Sequence, residues 1–261
     1  MKKQAIGILD TNIDNIAIIN FLEKSFPYEH FIYVYDPECL QYEGLPEDEI
    51  KLRVQKNLDY LLARQVKLII TVSSTIVEYC IDILNKISIP VVNIFDSIID
   101  EVNNSYEHKN MVLLADEALL QANIYQKNIR YNHLYPISSD ALTNLIKEQK
   151  TKTSISFNTV QEVLKTVICK EVDLIIPTNV NLLLLKTEIE EYMPEAQILN
   201  VGLLLVEKTK AALLTIENLA YKKKGFVELA QISIKQKDYI KKFLFSKRLI
   251  WRKKIAKTKE K

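Results

Sequence analysis

The feature that most constrains the fold is an apolar run, residues 67–72, which leads into the hydroxyl residues Ser73, Ser74 and Thr75 and then into a helical pattern. Such a run is typical of a buried parallel strand whose carboxyl end continues into a helix. In open α/β sheets, ligands bind at the carboxyl ends of the strands. The corner at Ser73 is therefore the first candidate for a functional site.

Short apolar runs and helical patterns alternate along the rest of the chain. The sequence predicts strands at 4–9, 30–35, 67–72, 90–95, 110–114, 133–135, 174–177, 197–201 and 225–232. It predicts helices at 12–26, 46–62, 75–86, 117–126, 140–148, 159–169, 181–192 and 203–220, with one more helix to close the chain. This order indicates an α/β fold of mostly parallel sheets flanked by helices. Since no Pro/Gly/Ser-rich linker divides the chain, we expect two closely packed lobes.

Composition excludes several classes of function. Four glycines in 261 residues leave no glycine-rich phosphate loop. The cysteines, Cys39, Cys80 and Cys169, have no C-x-x-C spacing, and we expect the latter two in the core. The three histidines (His30, His108 and His133) lack metal spacing, so we expect no metal site. No apolar run is long enough to span a membrane, and the first predicted strand already begins at residue 4, where a signal peptide would lie. We therefore expect a cytoplasmic protein.

Four phrases of the sequence resemble glutamate racemase, of the aspartate/glutamate racemase superfamily. Residues 6–11 resemble the family's I-G-V-F-D-S opening, and residues 66–75 resemble V-K-x-L-V-I-A-C-N-T. Residues 116–127 are similar to T-E-A-T-I-x-S-x-x-Y-Q-K, and residues 173–185 to D-x-L-V-L-G-C-T-H-Y-P-L-L. The phrases occur in the family's order and spacing along nearly the whole chain.

The resemblance implies two similar lobes that enclose a cleft, with residues 1–96 and 205–261 in one lobe and 97–204 in the other. It also implies racemisation without a cofactor, by one cysteine from each lobe. Inverting a stereocentre by proton exchange needs an acid and a base on opposite faces of the substrate, and thiols with lowered pKa values can fill both roles.

This chain departs from the family at the residues that carry the reaction. Ser73 and Asn179 stand where the resemblance places the two cysteines, and Asn181 stands where it places a histidine. Asp116 replaces a substrate threonine. Asp10 is retained, but its implied role is to assist a cysteine that is absent. Serine needs a neighbouring base and asparagine accepts no Cα proton, so no catalytic set is intact.

The leading hypothesis is a racemase-like protein without two-cysteine racemase activity, retained for binding or structure. We expect a small carboxylate ligand in the cleft, and a homodimer is a further expectation. The predicted ligand-binding residues are Asp10, Thr11, Tyr42, Ser73, Ser74, Thr75 and Asp116. Two alternatives stay open: the hydroxyl cluster is only a helix N-cap and Asp10 only a strand-end cap, or an active amino-acid racemase uses Asp10 and Ser73 instead of cysteines.

The carboxyl-terminal region, residues 235–261, is strongly basic and carries aromatic residues, with a basic tail at 247–261. It contains twelve basic and two acidic residues. Such a segment can bind an anionic membrane surface or nucleic acid, which would make the body of the protein a scaffold. The alternative is a final packed helix with a solvated, lysine-rich end.

Overall fold

The computed structural model describes residues 4–13, 15–38, 42, 44–230, 234–245 and 248–252. Cys39 and most of the predicted basic tail lie outside these residues. The chain divides into two compact units, Met1–Asn93 with Val206–Lys261, and Ile94–Leu205.

The first unit begins with three rounds of strand and helix and a fourth strand. Its elements before the boundary are β1 (Ile6–Leu9), α1 (Ile18–Ser25), β2 (Phe31–Val34), α2 (Glu47–Ala63), β3 (Leu68–Thr71), α3 (Ser74–Leu84) and β4 (Val91–Asn93). The chain returns to this unit within the first half of helix α9 (Val201–Thr215) and adds β9 (Val227–Leu229), α10 (Ile234–Phe243) and β10 (Leu249–Trp251). The sheet has the order β10-β9-β2-β1-β3-β4, and all of its pairs are parallel.

The second unit repeats this design with a smaller sheet. Its elements are α4 (Ile94–Ser105), β5 (Asn110–Ala115), α5 (Glu117–Ala122), β6 (His133–Ser138), α6 (Asp140–Lys147), α7 (Ser154–Leu164), β7 (Leu174–Pro177), a 3-10 helix (Val180–Leu185), α8 (Lys186–Tyr192) and β8 (Gln197–Ile198). The strand order is β6-β5-β7-β8, again all parallel. The predicted fold class, parallel sheets flanked by helices, is confirmed.

Strands β1, β2, β3 and β7 are buried along their whole length, which explains their continuous apolar sequences. On one face of the larger sheet, Leu9, Val34 and Ile69 join the apolar residues of α2 and α3 in a single core cluster. This packing fixes the strand ends, and therefore the polar residues that follow them.

Several predicted boundaries were wrong. The strand predicted to run to Phe95 ends at Asn93, and α4 begins at the next residue. The helix predicted at 159–169 spans Ser154–Leu164, which leaves Cys169 in the following loop, exposed and outside the core. Among the described residues, the last element is not the predicted helix, because the edge strand β10 follows α10.

The strand beside the edge strand of the larger sheet, β9, contains a buried carboxylate, Glu228. Arg64, just after α2, binds both of its oxygens at 2.7 and 2.8 Å, Tyr60 donates to it at 3.2 Å, and Arg252 lies 3.5 Å away. Burial alone would raise the pKa of Glu228. The hydrogen bonds and charge of Arg64, with smaller contributions from Arg252 and Tyr60, outweigh burial and hold that pKa below its ordinary value.

Candidate functional site

Polar side chains collect where β1, β2 and β3 end. Asp10 and Thr11 follow β1, Asp36 follows β2, and Ser73 follows β3, and all four residues are buried. Because the carboxyl ends of parallel strands share one edge of a sheet, the fold brings these residues together from distant parts of the chain. This is the edge at which α/β sheets bind ligands.

Asp10 is the best-anchored side chain at this edge. Tyr33 of β2 donates its hydroxyl to Oδ2 of Asp10 at 2.6 Å, and the backbone N–H of Thr11 donates to Oδ1 at 2.8 Å. The amide of Asn15 lies 3.5 Å from the same Oδ1. Donors on both oxygens stabilise the negative charge and fix the orientation of the carboxylate.

Tyr33 was missed by the sequence analysis. A signal was present, since a tyrosine inside a fully apolar strand needs a partner for its hydroxyl. That the partner is Asp10 follows from the parallel register of the two strands, which pairs Ile8 with Tyr33.

Ser73 occupies the N-cap position of α3, but its side chain makes no capping hydrogen bond. Its hydroxyl oxygen instead lies 3.3 Å from the hydroxyl oxygen of Thr11. Ser74 is buried and Thr75 is half-buried in the first turn of the helix. A second hydroxyl is no general base, so this contact does not turn Ser73 into a nucleophile or a proton acceptor.

A second acidic group stands beside the first. Asp36 accepts hydrogen bonds from Nη1 of Arg53 at 2.9 Å and from the hydroxyl of Tyr42 at 3.3 Å. Arg53 also binds Glu49 through two nitrogens, at 3.0 and 2.7 Å. Tyr42, a predicted ligand-binding residue, is buried with its hydroxyl on Asp36. Sequence analysis had not connected Asp36 with Arg53.

In the second unit, the predicted site residues make local capping bonds. Oδ1 of Asn179 accepts from the backbone N–H of Asn181 at 2.8 Å and caps the 3-10 helix after β7. Asp116 accepts from the backbone N–H of Leu119 at 2.9 Å and caps α5 after β5. Asn181 is buried. An amide and a capping carboxylate supply polarity at the carboxyl ends of this sheet, and neither is a thiol.

The two described cysteines lie away from these strand ends. Cys80 is buried in α3, where burial raises the pKa of its thiol to about 12. Cys169 is exposed in the loop before β7, at the amino end of that strand, whereas Asn179 follows its carboxyl end. Neither thiol is placed to act beside Ser73 or Asn179.

Within the described part of the chain, no three His, Cys, Asp or Glu residues are grouped so that they could hold a metal ion. His30 packs edge-on against Phe226, with ring centroids 4.1 Å apart, and His133 has Nδ1 3.2 Å from Oδ1 of Asn110. His108 is exposed beside Glu107. None of the described helices has the length and apolarity needed to cross a bilayer.

No model of a known protein family matches the chain. Curated relatives do match: it is 24% identical to glutamate racemase of Exiguobacterium sibiricum over 178 residues, 66% of each chain. It is 22% identical to glutamate racemase of Lactococcus lactis over 208 residues, 77% of this chain and 76% of that one. The chain spans just under two thirds of the length of the first curated relatives that it matches.

Solved structures match over nearly the whole chain. Glutamate racemase from Thermus thermophilus, in complex with β-chloro-D-alanine, gives a TM-score of 0.84 at 17% identity and covers 97% of both chains. The enzyme from Francisella tularensis, in complex with D-glutamate, gives 0.81 at 19% identity over 98% of both chains. The sequence relatives and the fold agree, and the predicted resemblance to the glutamate racemases is confirmed.

Proposed function

We propose that this chain is a glutamate racemase-like protein that does not racemise through paired cysteines and instead binds a small amino acid. The observation that carries the proposal is the environment of Ser73, whose hydroxyl meets, among the described side chains, only the weakly basic hydroxyl of Thr11 at 3.3 Å. The capping role of Asn179 supports the same conclusion for the second position.

The chemical argument concerns the proton on the Cα of an amino acid. Its removal and its return on the opposite face need two groups that can each hold a proton near neutral pH. A serine hydroxyl without an adjacent base and an asparagine amide do not meet this requirement. Asp10 is a carboxylate, but both of its oxygens already accept hydrogen bonds, from the hydroxyl of Tyr33 and the N–H of Thr11.

Binding an amino acid requires polar groups that are complementary to its charges and no proton transfer. The edge that follows β1 and β3 offers such groups. The fixed carboxylate of Asp10 is complementary to the ammonium group of an amino acid. The hydroxyls of Thr11 and Ser73 and the first backbone N–H groups of α3 are complementary to its carboxylate. Glutamate racemases from Francisella tularensis and Escherichia coli have been solved in complex with D-glutamate and L-glutamate, which makes these the first probes for this chain.

The decisive experiment measures catalysis and binding on the same preparation. Incubation with L-glutamate or D-glutamate in D₂O should give no deuterium at Cα and no change in optical activity, while titration calorimetry should detect binding of one enantiomer. Asp10→Asn should abolish that heat. Asp173→Asn is the matched control, because this carboxylate lies at the amino end of strand β7 and not at a carboxyl end. This variant should bind normally.

Deuterium exchange above the rate in buffer would overturn the assignment as inactive. If exchange were then lost in Asp10→Asn and in Ser73→Ala, the alternative of a racemase that uses these residues would replace it. Tyr33→Phe distinguishes the roles further, since it removes the hydrogen bond that Tyr33 donates to Oδ2 of Asp10. We expect weaker binding in this variant and still no exchange.

A further inference from the structure

We propose that one edge of the first unit is a docking surface for an anionic lipid bilayer. We call it the basic aromatic edge. It consists of two exposed rings and the cationic residues around them: Tyr221, Lys222, Lys223, Lys224, Phe245 and Arg248.

The two rings are the most exposed large apolar side chains of the described residues. Phe245 is 80% exposed and Tyr221 is 74% exposed. Single exposed apolar residues are ordinary on protein surfaces, but two aromatic residues beside cationic residues are typical of segments that insert into the headgroup region.

The ring of Phe245 projects from a backbone that is held in place. Asn20 of α1 donates its amide to the carbonyl of Phe243 at 2.6 Å and accepts from the backbone N–H of Phe245 at 3.1 Å. Ile240 and Phe243 are buried, so the apolar side of α10 faces the body of the unit. The fold thus buries its other apolar groups here and leaves one ring displayed, with little entropy to lose on insertion.

Backbone contacts bring the two halves of the edge together. Arg248 donates a side-chain hydrogen bond to the carbonyl of Gly225, and its own carbonyl accepts from the N–H of Val227 at 3.0 Å. Tyr221 lies four residues before Gly225, and Phe245 lies three residues before Arg248. The backbone of each aromatic residue is therefore at most about 14 Å of extended chain away from the contact between Arg248 and Gly225.

Gly225 is required at this contact. A Cβ at this position would collide with the backbone carbonyl of Glu29, while the N–H of Gly225 bonds the carbonyl of Pro27 at 2.9 Å. The close approach fixes the position at which the segment 221–224 joins the rest of the first unit. The basic aromatic edge therefore has a defined backbone position.

The charge of this region is complementary to an anionic surface. From Tyr221 to Arg252 the chain carries ten basic and two acidic residues, whereas its total net charge is only +2. Of the two acids, Glu228 is buried against Arg64, and Asp238 lies 3.4 Å from Lys241. Lysines near an anionic bilayer are each attracted by its surface potential.

The environment of Trp251 favours a bilayer over nucleic acid as the partner. Lys237 lies over the ring of Trp251, with Nζ 5.2 Å from the ring centroid, so a cation already covers one face on which a base would stack. The rings left open, Tyr221 and Phe245, suit shallow insertion. Of the predicted tail at 247–261, only residues 248–252 are described, and they contribute strand β10 and Arg248 to this edge.

The test is co-sedimentation of the full chain with vesicles. We expect binding to vesicles of equal parts phosphatidylglycerol and phosphatidylcholine, none to pure phosphatidylcholine, and loss of binding at high salt. Replacing Lys222, Lys223 and Lys224 together by Gln should weaken binding by about a hundredfold. Phe245→Ser should weaken it by about tenfold, because the ring is lost. The backbone bond to Asn20 does not depend on the side chain and remains.

Two control variants match these changes elsewhere on the surface. Leu52→Ser removes an apolar side chain that is 72% exposed on α2, and replacing the exposed Lys127, Lys150 and Lys165 by Gln removes the same charge from the second unit. Both should bind vesicles like the unmodified chain. The proposal is overturned by equal losses in the controls, by equal binding to neutral vesicles, or by binding to a labelled single-stranded oligonucleotide with no binding to anionic vesicles.

Discussion

Replacing Lys67 by methionine should destabilise the first unit more than any exposed charge deletion. Lys67 precedes β3, and its Nζ lies 2.9 and 2.8 Å from the carboxylate oxygens of Glu29, which precedes β2. Lys67 also donates to the carbonyl of Asn218, and Glu29 accepts from the N–H of Ala220 at 2.7 Å. The pair thus ties the segment that follows α9 to the amino ends of the central strands.

The magnitude follows from burial. The side chains of Lys67 and Glu29 are 3% and 1% exposed, so removing the cation leaves a carboxylate without compensation in the interior. Breaking a buried pair in this way costs about 3–5 kcal/mol. Lys51 offers the matched control, since its Nζ lies 2.7 Å from Glu47 while its side chain is 30% exposed. Lys51→Met should cost much less, because solvent screens an exposed ion pair.

Urea unfolding provides the assay, because the single tryptophan, Trp251, lies in β10 and reports on this unit. A loss of about 4 kcal/mol should also lower Tm by about 10 °C. Adding Glu29→Gln removes the orphaned charge and keeps an acceptor for Ala220, so the double variant should recover part of the loss. If Lys67→Met and Lys51→Met shift the midpoint equally, or if the two changes at Lys67 and Glu29 simply add, the reasoning from burial is wrong.

Two further measurements follow from the pKa shifts. Because the pKa of Glu228 is lowered by Arg64 and its neighbours, its contribution to stability is present above the ordinary value of 4.5 and is lost as the pH falls through the folded value. The difference in urea midpoint between the unmodified chain and Glu228→Gln should therefore be constant near neutral pH and shrink below pH 4.5; a difference that grows with acid would contradict this sign. In a Cys39→Ser background, one thiol should react rapidly with a disulfide reagent, since Cys169 is exposed, whereas Cys80, with a pKa near 12, should react only on unfolding. Two rapidly reacting thiols would show that α3 opens in the native state.

The central strands were predictable because burial on both faces leaves an uninterrupted apolar run with a polar residue after it. β3 and β7 lie within a residue or two of their predicted bounds for this reason. The same logic failed at Ile94, where α4 begins directly after β4 and apolar residues continue across the boundary. A short apolar run has no period of its own to separate strand from helix. β10 was missed because it consists of only three apolar residues between two arginines and is half-exposed, as suits a protected edge strand.

The candidate site was predictable in position and not in its bonding. Parallel topology alone requires Asp10 and Ser73 to share an edge, so the sequence could place both there. Which donor reaches which oxygen depends on strand register and side-chain direction, and these gave Asp10 the hydroxyl of Tyr33 and gave Ser73 the hydroxyl of Thr11. Those partners bear directly on function: a hydroxyl beside a hydroxyl holds no proton acceptor, whereas a carboxylate that is charged and fixed still suits an ammonium group. Under the proposed function the same edge binds a ligand and transfers no proton, so the calorimetric and exchange experiments must be interpreted together.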